Sequence, residues 1–145
     1  EGGEKALEIR GDEAARAVLG ADGKRIRVSA ADPENDYDTE WLDLILAVRV
    51  VPDMETALEH IAEHSLQHTE VILTRDQNRA DRFLSVVDSA CVYHNASSQY
   101  TDGGEFGLGA EIGISTQKLH VRGPFALDGL TGMKWRVDGQ GQLRP

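Results

Sequence analysis

The chain has 145 residues, 40% of them apolar, enough for one domain with one core, and a formal net charge of -10. That charge repels phosphate backbones and anionic membranes, which argues against a nucleic-acid or membrane partner. No apolar run approaches the roughly 20 residues that span a bilayer, the start lacks the basic and apolar regions of a signal peptide, and one cysteine, Cys91, excludes an internal disulfide framework. A cytoplasmic protein is expected, and a chain that opens on Glu1 is expected to be part of a longer one.

In chain order, "DEAARAVLG" reads as a short helix with Asp12 as cap and Gly20 as stop, followed by a strand in "KRIRVS" and an acidic loop from Ala31 to Trp41. "LAVRVV" (Leu46 to Val51), "VILT" (Val71 to Thr74) and "ACVYH" (Ala90 to His94) are rich in β-branched residues and predict buried strands. Between the first two, Asp53 caps a helix whose apolar stripe is Met54, Ala57, Leu58, Ile61 and Ala62. Between the second and third, Asp76 caps another with Ala80, Phe83, Leu84 and Val87. Strands alternating with amphipathic helices predict an α/β fold, a βαβαβ parallel sheet with flanking helices covering both faces. The closing "MKWRVDGQGQLRP" predicts a C-terminal strand or hairpin that turns at Asp138-Gly139.

Three features carry candidate chemistry. His60, His64 and His68 stand at i, i+4 and i+8, a spacing that suits zinc, but His60 lies well round from the apolar stripe and His68 falls past the expected helix end. A solvated helix face plus a turn histidine is expected rather than a metal site, because zinc needs convergent ligands; no metal is expected. Cys91 sits inside a strand-like run and reads as a small buried apolar residue rather than a nucleophile. The glycine-rich stretch Thr101 to Pro124 contains Gly107, Gly109 and Gly113, one residue too long for a dinucleotide fingerprint. It reads either as a surface loop or as a binding loop beyond the carboxyl ends of the strands.

Three segments together resemble the C-terminal part of the gamma-glutamyl phosphate reductases, a family of the aldehyde dehydrogenase superfamily: "VPDMETALEHIAEHSLQHTEVI" (Val51 to Ile72), "VDSACVYHNAS" (Val87 to Ser97) and "TDGGEFGLGAEIGISTQKLHVRGP" (Thr101 to Pro124). The resemblance covers nearly the whole chain. It implies NADPH-dependent reduction of L-glutamyl 5-phosphate to L-glutamate 5-semialdehyde and phosphate in proline biosynthesis. It also implies a nucleophilic cysteine upstream of Glu1, a homo-oligomer and functional coupling to glutamate 5-kinase. On that basis residues 1–120 are expected to belong to the catalytic domain and residues 121–145 to an oligomerisation segment. Glu40 resembles a glutamate that holds the nicotinamide ribose. Asn95, Ser97, Ser98, Gln99, Thr101, Asp102, Glu105 and Phe106 are expected to line the glutamyl pocket. The sequence departs from the family at Leu66, usually serine or threonine, at Ser98-Gln99-Tyr100, usually Thr-Arg-Phe, and in "HVRGPFALDGL". If the usual arginine grips an anionic group, the neutral amide of Gln99 weakens that grip. A non-catalytic binding or oligomerisation module of the same fold, and a histidine-zinc hydrolase, are the competing readings.

Overall fold

The structure, a computed structural model, describes residues 5–20 and 26–145. It is a mixed α/β fold with parallel strands and, among the described residues, three α-helices. Strand β1 (Leu7–Gly11) leads into helix α1 (Glu13–Leu19) and then β2 (Ile26–Ala30), and β1 pairs in parallel with both β2 and β3 (Ile45–Val48). Asp12 caps α1 by accepting the amide of Ala15 at 2.7 Å, and Gly20 ends it with φ 76° and its amide on the Arg16 carbonyl. The second carboxylate oxygen of Asp12 accepts the amide of Val50. That bond takes the chain out of the ladder, which is why β3 stops at Val48 rather than running to Val51. Lys24 and Arg25, expected to open β2, lie outside the described residues.

Helix α2 (Met54–His64) follows, with Asp53 accepting the amide of Thr56. Then come β4 (Thr69–Ile72), α3 (Gln77–Val86) capped by Asp76, and β5 (Cys91–His94), parallel to β4. β4 ends at Ile72 because the side chain of Asn95 takes over the backbone of Thr74, accepting its amide at 2.9 Å and donating to its carbonyl at 2.8 Å. Of the expected stripes, Leu58, Ala80 and Phe83 are buried, whereas Ala62 and Leu84 are exposed.

Four differences from the expected architecture stand out. β1 was not expected, yet it is the centre of its sheet. The strands form a three-stranded sheet, β2-β1-β3, and a separate pair, β4-β5, rather than one continuous βαβαβ sheet. The first sheet is not covered on both faces, since Leu44 and Leu46 are each 51% exposed. Finally, the expected C-terminal strand or hairpin does not form: residues 131–145 contain no strand or helix and are exposed throughout. Met133, Trp135 and Val137 alternate as strand residues do, but no strand among the described residues pairs with them. A short antiparallel pair does form inside the glycine-rich stretch, β6 (Gly113–Ser115) against β7 (Gly123–Phe125).

Candidate functional site

The expected pocket residues fall into two groups. Asn95 (φ 53°), in a left-handed conformation that asparagine tolerates, spends both ends of its amide on Thr74. Ser97 caps the short 3₁₀ turn Ser98–Tyr100 by accepting the amide of Gln99. Thr101 is buried, and its hydroxyl lies 2.8 Å from the Thr69 hydroxyl and 3.0 Å from that of Tyr93. Asp102 accepts the amides of Gly104 and Glu105, which folds the loop on itself, and Glu111 accepts the amide of Gly103. These four of the expected residues therefore shape the loop. Ser98, Gln99, Glu105 and Phe106 are exposed and free to face a ligand.

The path of the loop differs from the expectation that it sits beyond the carboxyl ends of the strands. The chain leaves β5 at that end through Asn95, then doubles back so that Thr101 meets Thr69, the first residue of β4. Farther on, Arg122 donates to the carboxylate of Asp88 at 2.8 Å and to its carbonyl at 2.8 Å, and Lys118 pairs with the same carboxylate. Asp88 precedes β5, so β6 and β7 are tied beside the amino end of the β4-β5 pair. The hydrogen bond from Lys118, then that from Arg122, hold the Asp88 carboxyl below its ordinary range. These ties join residues 30 to 34 positions apart, and no local sequence signal announces them.

An open cleft of about 530 Å³ lies between the end of α2, the start of β4 and the 3₁₀ turn. His60, His64, His68, Glu70, Leu66 and Ser98 line it. The expected solvated face of α2 is instead half-buried at His60 and His64. The acidic loop covers it: the Tyr37 ring meets His60 edge-on at 4.9 Å between centroids, the two imidazoles are 4.5 Å apart, and Asp38 accepts from Nδ1 of His64 at 2.9 Å. Arg49, just past β3, donates to Nδ1 of His60 at 3.0 Å. Because a guanidinium has no acceptor, neutral His60 must carry its proton on Nε2. Burial first, then His64 and Arg49, push the His60 imidazole below its ordinary range. His68 stands beyond the helix, exposed, with Nδ1 against the Thr69 hydroxyl. Among the described residues no group of three His, Cys, Asp or Glu side chains has metal-binding geometry.

Glu40 lies in the same acidic loop, exposed, and among the described residues its carboxylate makes no hydrogen bond, so both oxygens are available to the adjacent hydroxyls of a ribose. Cys91 is buried, with Gly123 packed over it: a Cβ at Gly123 would lie 3.6 Å from its Sγ. The pattern of Asp38, His64, His60 and Arg49 had a partial signal in the i, i+4 histidines. The acidic loop that completes it had none, since it lies far from α2 in sequence.

No family model matches the chain. Over 142 residues, 98% of this chain and 32% of the relative, it is 58% identical to the gamma-glutamyl phosphate reductase of Rhizorhabdus wittichii. Over 138 residues, 95% of this chain and 31% of the relative, it is 58% identical to that of Novosphingobium aromaticivorans. Its fold superposes on the crystal structure of gamma-glutamyl phosphate reductase from Thermotoga maritima with a TM-score of 0.85 and 45% identity, over 96% of this chain and 32% of that one. In both sequence and fold the chain belongs to the gamma-glutamyl phosphate reductase family, and it spans about a third of the length of the relatives it matches.

Proposed function

We propose that this chain forms part of an NADPH-dependent reductase that converts L-glutamyl 5-phosphate to L-glutamate 5-semialdehyde and phosphate. The observation that carries the reading is the 58% identity to gamma-glutamyl phosphate reductases across 98% of the chain. In this reading a cysteine thiolate on a segment preceding Glu1 attacks the acyl carbon, phosphate leaves, and a thioester forms. NADPH supplies the hydride that reduces it, and collapse of the resulting hemithioacetal releases the aldehyde and returns the thiolate. The burial of Cys91 under Gly123 supports placing the nucleophile elsewhere.

The residues of this chain then bind and orient. Glu40, exposed and with no hydrogen bond among the described residues, holds the nicotinamide ribose. Ser98, Gln99, Glu105 and Phe106, on the outer side of the loop, contact the glutamyl moiety, while Asn95, Ser97, Thr101 and Asp102 hold that loop in shape. Gln99 contributes hydrogen bonds without charge, so it grips an anionic substrate more weakly than an arginine would. Residues 1–120 belong to the catalytic domain in this reading, and residues 121–145 serve oligomerisation, supported by the exposure of Met133 (100%), Trp135 (95%) and Leu143 (90%). An acyl phosphate is short-lived in water, which favours coupling to the glutamate 5-kinase that forms it, in the cytoplasm. NADPH oxidation dependent on L-glutamyl 5-phosphate tests the proposal. The complete polypeptide is expected to catalyse it and the purified 145-residue chain is not; turnover by that chain alone, or none by the folded complete protein, contradicts it.

A further inference from the structure

The loop of residues 31–41 is fastened at two places of different chemistry. Its base is held to β1: Asp36, 3% exposed, accepts from Arg10 at 3.1 Å and from the amide of Asp32 at 2.9 Å, and the Arg10 guanidinium lies 4.0 Å from the centroid of the Trp41 ring. Between these anchors, Tyr37 packs on both imidazoles of α2 and Asp38 is bonded to His64, while the Asp38 amide and the Thr39 hydroxyl both donate to the Asn35 carbonyl within the loop. The second fastening is thus built from histidines.

We propose that His60 and His64 are positioning residues that clamp residues 37–40, and with them Glu40, against α2, and that the clamp opens when His60 takes up a proton. Arg49 occupies the Nδ1 lone pair of His60, so protonation there removes the acceptor and sets an imidazolium against a guanidinium. The His64 ring centroid lies 4.5 Å from that of His60. The groups facing His60 are His64 and Glu63 on α2, Arg49 beyond β3, and Tyr37 and Asp38 of the loop; Asp12 and Asp36 act on Tyr37 from farther off. The two acids that favour the imidazolium are weakly placed, with the Asp38 and Glu63 side chains 58% and 74% exposed and therefore screened by water. The lowered proton affinity of His60 agrees in sign with this geometry. The interaction is present above the ordinary histidine range, about pH 6.5, and is lost as pH falls through the lower value in the folded protein. Tyr37 rests on the ring that must move, so residues 37–40 are released while Asp36 and Trp41 stay anchored to Arg10.

The consequence for cofactor binding rests on the ribose role proposed for Glu40. The test uses the complete reductase at about pH 7.5 and at an acid pH where histidine-ring NMR shows His60 protonated. Backbone hydrogen exchange, corrected for its intrinsic pH dependence, reads the loop, and the dissociation constant of NADPH reads the cofactor site. Protection at residues 37–40 is expected to fall about fivefold or more on acidification, with residues 32–36 unchanged and the NADPH constant rising in parallel. In His60→Asn, whose amide oxygen can replace Nδ1 as an acceptor but cannot take a charge, the acid response is expected to vanish. Equal protection at both pH values, or an undiminished response in His60→Asn, overturns the clamp. A loop that loosens without any change in NADPH affinity supports the clamp and overturns the role of Glu40. Should His60→Asn fail to fold, histidine-ring NMR on the native protein decides: Tyr37 resonances that follow the His60 titration support the proposal, and resonances that ignore it overturn it.

Discussion

Cys91 is the only thiol in the chain, and its surroundings determine what it can do. Its amide is bonded to the His68 carbonyl, it faces Thr69 across the β4-β5 ladder, and Gly123, at φ 79°, brings the backbone over its sulfur. Any larger residue at Gly123 would be strained in that left-handed conformation. The sulfur is therefore a packing element at the seam between β5 and β7. Changing Cys91→Ala in the complete protein is expected to leave the NADPH-dependent rate near normal and to alter stability by less than about 1.5 kcal/mol. A folded variant whose rate has dropped by orders of magnitude would place the nucleophile in this chain.

At the scale of elements, β6 and β7 depend on one carboxylate. Asp88 receives both Lys118 and Arg122, and those partners hold its carboxyl below the ordinary range. A carboxylate depressed in the folded state contributes stability that is present above its unfolded value, about pH 3.9, and is lost as pH falls through the folded value. Asp88→Asn is accordingly expected to lower the melting temperature at neutral pH and to lower it by less at an acid pH below the ordinary carboxylate range, as the native carboxyl takes up its proton. Equal losses at both pH values, measured by calorimetry, would show that the ion pairs contribute nothing and that Asp88 acts through packing. The same elements show what the sequence makes legible. The caps Asp12, Asp53 and Asp76 are visible because each bonds an amide three residues on. β1 was obscured because Glu8 and Arg10 interrupt Leu7 and Ile9 with charges, which the structure shows paired with each other at 2.8 Å. The doubling back of the glycine-rich stretch was hidden for another reason, since Thr101 to Thr69 and Arg122 to Asp88 are tertiary contacts with no periodicity to betray them. The half-buried histidines of α2 fall in the same class, since the loop that covers them is remote in sequence.

At the scale of the molecule, exposed apolar residues occur along much of the chain, and two groups of them bear on assembly. Leu42 and Leu44 border the open face of the first sheet, and Met133, Trp135, Val137 and Leu143 follow one another along the terminal segment. So many apolar side chains in one extended segment suit a contact surface rather than solvent. Deleting residues 131–145 from the complete protein is expected to reduce its mass in sedimentation to that of a smaller assembly while circular dichroism is retained. An unchanged oligomer would remove the proposed role of that segment. We propose that this chain supplies the binding side of a reductase whose thiolate precedes Glu1. Peptide mass spectrometry of the complete protein, quenched in acid after exposure to L-glutamyl 5-phosphate without NADPH, tests it most directly. A glutamyl thioester on a cysteine outside residues 1–145 is expected; a thioester on Cys91 would contradict the proposal.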